Sequence, residues 1–163
     1  MDGLQQQAIA QPKRKANEMS NLLLMILMVA GGVAVAVQPS INARLAEKTG
    51  YLQAATVSFA VGTLILLILS LSSSQGSFRR ASEADWWQLS GGLFGAFFVT
   101  MTIIGVPRIG TTAVLALTIV SQLVAGLLLD HFGLFGMRGI PFDFKRVAGV
   151  ALLLVGVFLI CKH

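Results

Sequence analysis

Charge is scarce in this sequence. Only 12% of its 163 residues are Asp, Glu, Lys or Arg, about half the share found in a soluble globular protein. There is one cysteine, Cys161, which excludes an internal disulfide and a cysteine-built metal cage. The two histidines, His131 and His163, are too few for a metal site without help from carboxylates. The sequence has no H-E-x-x-H, no phosphate-binding G-x-x-x-x-G-K, no G-x-S-x-G and no C-x-x-C. We therefore expect no enzyme, no cofactor and no metal site. Strands that alternate apolar and polar residues are missing too, which excludes an outer-membrane barrel.

What is present is apolar and continuous. Hydrophobic residues make up 55% of the chain. Between successive charges lie five uncharged stretches, Met19–Ala43, Thr49–Phe78, Trp86–Pro107, Ile109–Leu129 and Val147–Cys161, of 25, 30, 22, 21 and 15 residues. A helix needs roughly 20 apolar residues to cross the hydrocarbon core of a bilayer. The pattern predicts an all-α integral membrane bundle of five transmembrane helices at 19–46, 51–72, 85–106, 109–129 and 144–161. Residues 1–18 read as a flexible cytoplasmic tail, and 19–163 as the membrane domain.

Local signals set the expected ends. Pro39 should kink the first span, and Gly50 should end it. Ser82-x-x-Asp85 has the form of a capping box opening the third, followed by Trp86 and Trp87 at headgroup level. Pro107 should break that span, and Pro107–Gly110 should make a tight hairpin with the fourth. Asp143 should cap the fifth. That span is short, so Lys145, Arg146 and Lys162 should snorkel outward from its ends.

The net charge of +5 does not call for nucleic acid, because the basic residues flank spans and set orientation. The tail, the loop between spans 2 and 3 and the loop between spans 4 and 5 share one side. They carry Lys13, Arg14, Lys15, Arg79, Arg80, Arg138, Lys145 and Arg146. The opposite side carries Arg44, Lys48, Arg108 and Lys162. This bias predicts a cytoplasmic N-terminus and a periplasmic C-terminus.

Polar residues within the spans are few. Gln38 and Asn42 lie four apart and share a face of the first helix. Gln122 lies in the fourth with Thr118 four before it and Thr111 seven before that. An amide is costly against lipid, so these residues face protein or water. Either they join helices, or they line a hydrated cavity for a polar solute. We take Gln38, Asn42, Ser58, Thr118 and Gln122 as candidate solute-binding residues. None of the spans holds a carboxylate at mid-depth, where proton-coupled carriers keep one. Asp130 and His131, at the end of the fourth, are the nearest candidates for coupling. Gly62, Gly91, Gly95, Gly149 and Gly156 are expected at close helix contacts, Gly91-x-x-x-Gly95 being a formal packing motif.

Four strings carry a resemblance. They are Gln38-Pro-Ser-Ile-Asn42-Ala-Arg-Leu45, Ser58-Phe59-x-x-Gly62, Trp86-Trp87-x-x-x-Gly91-Gly92-x-x-Gly95-Ala96, and a last one running from Gln122 into Asp130-His131-Phe132-Gly133-Leu134-Phe135-Gly136. Together they resemble the short, five-helix YdcZ-type branch of the bacterial drug/metabolite transporter superfamily, which is EamA-like. The likeness spans roughly Ala30 to Ile160, with Ser121 where that pattern has glycine. The resemblance implies a multi-pass inner-membrane transporter and supplies no substrate; the polar stripes on spans 1 and 4 lead us to expect that it moves a small polar metabolite or drug-like solute. Larger relatives hold ten helices as two halves of opposite orientation. One chain is then one half, expected to pair as a homodimer or as a heterodimer with a second five-helix protein. The alternative is a non-transporting accessory or scaffold protein of the membrane.

Overall fold

The structure is a computed structural model that describes residues 2–73, 76–136 and 139–162, with side chains from Ser20 onward. Arg138, counted in the charge bias, lies outside the described residues, as does His163. Five α-helices follow in order: α1 (Asp2–Thr49), α2 (Tyr51–Ser72), α3 (Gly91–Ile109), α4 (Thr111–Phe132) and α5 (Phe144–Cys161). Among the described residues there is no strand. Helices are what an apolar chain must form in lipid, because each satisfies its backbone N–H and C=O groups internally. The lengths that are apolar enough to cross are Ser20–Thr49, Tyr51–Ser72, Gln88–Ile109, Thr111–Phe132 and Phe144–Cys161.

Several expected boundaries move. Residues 2–18, expected as a flexible tail, are helical and continuous with the first span. Glutamine, alanine and lysine are good helix formers, and they outweigh the single Pro12. The first helix runs on through Pro39 to Thr49. Pro107 likewise sits inside α3 rather than ending it. A proline costs the helix the N–H bond to the carbonyl four residues before it, here that of Ile103, and three residues later Gly110 ends the helix anyway. The capping box is also displaced. Ser82 Oγ bonds the carbonyl of Arg79, while Gln88 Oε1 accepts from the Asp85 N–H at 2.9 Å. Half of such a box therefore stands at Asp85-x-x-Gln88, three residues downstream, where the Gln88 N–H bonds the Asp85 backbone carbonyl rather than its side chain. Asp143 stands at the N-cap of α5, but its side chain makes no capping bond. Thr111–Phe132 extends past Leu129, so Asp130 and His131 belong to its last turn.

Two glycines make the tight corners. Gly50 has φ 94° and Gly110 has φ 84°, a region that L side chains rarely enter. Each N–H closes the preceding helix, on Ala46 O at 2.8 Å and Val106 O at 3.0 Å. Each carbonyl opens the next, accepting from Ala54 N at 3.0 Å and Val114 N at 3.2 Å. One residue thus ends one helix and starts another.

The chain forms two compact units, Met1–Gln38 and Pro39–His163. In the first, the side chains from Leu22 to Val29 are all exposed. In the second, burial gathers near the two glycine corners. Ala46, Ala54, Ala55, Val99 and Ile103 form the core, with Leu45 and Phe98 packed on it. Alanines there let α1, α2 and α3 approach closely, which is how helices pack where no water drives them together. Away from the corners, Leu64–Leu69 of α2 are exposed, as are Leu93 and Phe94 of α3, and α5 has no buried residue. So much exposed apolar surface has no place in water. A bilayer is the solvent that covers it.

Candidate functional site

The polar residues singled out from the sequence fall into two groups. The first lies at the packed corner. Asn42 is buried, and its Nδ2 donates to Ser58 Oγ at 3.1 Å, joining α1 to α2. Two residues before Asn42 on α1, Ser40 lies within 3.1 Å of Thr111, hydroxyl to hydroxyl, joining α1 to the start of α4. Sequence reasoning paired Asn42 with Gln38 and missed both Ser40 and this contact. A hydroxyl that bonds across helices has no signature apart from any other serine. Gln38 is exposed on the first unit.

The second group lies along α4. Thr118 borders a recess of about 270 Å³ between α3 and α4, with Thr102 and Gly105 opposite. Gln122 borders a different and larger groove, of about 410 Å³, between α4 and α5. Asp130 and Arg146 line the same groove. Arg146 Nη1 donates to Asp130 Oδ2 at 3.5 Å, with both side chains about half exposed, at 46% and 49%. Gln122 is the twelfth of the 22 residues of α4, close to mid-depth. It is exposed, and it makes no hydrogen bond among the described residues.

His131 follows Asp130 in a wrapped end. Its ring stacks on Phe142 with centroids 4.0 Å apart and planes 8° apart, and meets the edge of Phe132 at 5.0 Å. The atom Nδ1 is buried without a hydrogen-bond partner. Gly133 takes the left-handed conformation that ends α4. The chain then folds back, so that Ile140 N–H bonds the carbonyl of Asp130 at 2.7 Å. Phe135 stacks on Trp87 with centroids 5.5 Å apart, which holds the α4–α5 connection against the segment that leads into α3. The D-H-F-G-L-F-G string is therefore a folded clasp.

The glycines divide in the same way. A Cβ on Gly95 would meet the Phe59 ring at 3.3 Å, and one on Gly105 would meet Val114 Cγ2 at 3.0 Å. At Gly62, Gly91, Gly149 and Gly156 it would meet no atom within 4 Å. Of the five expected contacts, Gly95 alone is filled from within the described residues, and Gly105 is the closer one. No group of three His, Cys, Asp or Glu among the described residues could hold a metal ion.

Residues 23–159 match the family model described as "Putative inner membrane exporter, YdcZ". The chain is 29% identical over 150 residues to the inner membrane protein YdcZ of Escherichia coli strain K12, a likeness that covers 89% of this chain and 99% of that one. No solved structure matches. The family match begins in the first turn of the α1 span and ends in the last turn of α5, taking in all five spans, so the chain belongs to the YdcZ family of multi-pass inner-membrane proteins.

Proposed function

We propose that this chain is one half of an exporter that moves a small polar metabolite or drug-like solute across the inner membrane. One observation carries the reading. Gln122 holds an amide near mid-depth, facing a groove and bonded to no described residue. An amide without a partner in hydrocarbon costs several kcal/mol. A passing solute, with the water around it, supplies that partner. Thr118, one turn earlier on α4, borders the separate recess between α3 and α4 and offers a second polar surface to the solute. Asn42 and Ser58 bond each other, so in this reading they hold the corner from which the solute path is built. Asp130 and His131 are the proposed coupling pair, on the last turn of α4.

The second half is another five-helix chain, a copy or a homologue. Two features support this. The helix α5 has no buried residue, and Gly62, Gly91 and Gly156 offer small surfaces that no described residue fills. Paired halves of opposite orientation are a recurring plan among carriers. In this proposal the N-terminus is cytoplasmic and the C-terminus periplasmic. The Trp87–Phe135 stack supports placing the loops before α3 and after α4 on one side.

Solute flux in reconstituted vesicles, comparing the native chain with Gln122→Leu, tests the reading. Flux that the substitution abolishes while insertion and assembly persist supports it. Vesicles that contain the assembled protein and show no flux for any solute favour an accessory or scaffold role.

A further inference from the structure

The groove between α4 and α5 has an arrangement that says what kind of molecule fits it. Both charges lie at one end, on Asp130 and Arg146. An amide lies at the other, on Gln122, eight residues or about 12 Å further along α4. The walls between are almost wholly apolar, and Gly126 and Gly149 leave the space open because neither has a side chain. The volume of about 410 Å³ falls in the range of small-molecule sites.

We infer that this groove binds a small amphipathic zwitterion. Its charged head exchanges with the Asp130–Arg146 pair, its apolar body lies along Gly126 and Gly149, and a hydrogen-bonding group on its far end meets Gln122. The inference rests on the exporter reading above and names the solute class for Gln122. Charge complementarity selects the head. The ion pair is long, at 3.5 Å, and half exposed, so its two members are open to a cation and an anion presented together. The amide selects against a phospholipid tail, which would pass Gln122 and leave it without a partner. In the proposed orientation the charged end faces the cytoplasm, the side from which an exporter loads.

The test uses the full chain in lipid nanodiscs, in a Cys161→Ser background with Val150→Cys as a reporter on the groove wall. The probes are octyl sulfobetaine and the same molecule with a hydroxyl at its chain end, both below the concentration at which they aggregate. Each should slow thiol labelling at position 150 and leave labelling of a Phe94→Cys control on exposed α3 unchanged. Gly126→Leu fills the groove without meeting another atom at its Cβ, and should remove the protection. The terminal hydroxyl should strengthen protection about fivefold, the worth of one hydrogen bond, and Gln122→Leu should erase that gain. Equal protection of both cysteines overturns the inference, because the probe is then only partitioning into lipid. So does protection that follows the phospholipid of the disc rather than the probe. A thiol at 150 that is unreactive before any probe is added, and that crosslinks between chains, assigns the groove to a second copy and overturns it too. Protection without flux in vesicles keeps the groove and removes the exporter reading, whereas flux without protection removes the groove alone.

Discussion

Asn42 reaches across from α1 to Ser58 on α2 with a 3.1 Å hydrogen bond, at a point where Asn42 is only 5% exposed. Interhelical bonds of this kind contribute about 0.6–2 kcal/mol in membrane bundles. Asn42→Ala should lower the melting temperature in detergent by a matching amount, and a double-mutant cycle with Ser58→Ala should show the two effects coupled. Normal melting with lost flux in Asn42→Ala would move this residue from the scaffold to the solute path.

Gln122 should behave in the opposite way. It makes no bond among the described residues, so Gln122→Leu removes no intrachain hydrogen bond and replaces an amide by an apolar group at mid-depth. Melting of the single chain should stay the same or rise, while flux is lost. A lowered melting point with unchanged flux would show that the amide only joins helices, across the assembly.

The glycines predict a contrast. Gly105→Leu should lower melting by several degrees, because its Cβ falls 3.0 Å from Val114 Cγ2 and must push α3 away from α4. Gly62→Ala has open space around its Cβ. It should raise the stability of the single chain by up to about 1 kcal/mol through helix propensity. Loss of assembly in Gly62→Ala, with the single chain intact, would locate a neighbouring subunit at that face.

Phe135 holds φ 59°, a left-handed conformation without glycine. That geometry costs roughly 1–2 kcal/mol, against about 0.5–1.5 kcal/mol from an aromatic pair such as its stack on Trp87 at 5.5 Å. Phe135→Ala keeps the strain and loses the stack, so it should destabilise the clasp. Phe135→Gly loses both and should sit near the native value. Trp87 fluorescence, which reports the stack, should change alike in both variants while melting separates them.

Topology is open to reporter fusions. A reporter that works only in the periplasm should be active when joined after His163, and one that works only in the cytoplasm should be silent there. The reverse result would invert the proposed orientation, and with it the side from which solute is loaded.

The five spans were legible because length without charge is all that a bilayer requires. The likeness carried by Gln38–Leu45 and Asp130–Gly136 was legible for a different reason, since those strings pack unusual residues into short windows. Direction around each helix was not. In a soluble helix the polar face marks its own outside. In α2 and α5 no continuous polar face marks one side, so nothing in the letters says that Phe59 lies over Gly95 or that Gly62 faces open space. Asn42 and Gln122 were both legible as interior amides, but not that one is bonded within the chain and the other is not. That depends on Ser58, a serine like many others. The helical Pro107 was hidden because Gly110, three residues on, has the dominant stop signal.

Gly50 and Gly110 also bear on how the protein is made. A connection of one residue cannot hold one helix in lipid while its neighbour waits outside, because the two share a corner. The helices α1 with α2, and α3 with α4, must then be delivered to the membrane as inseparable couples. Any error in insertion would have to involve two spans at once, which leaves the parity of the chain unchanged. The last helix, reached by the longer segment after Gly133, is the single span whose entry decides on which side the polypeptide finishes.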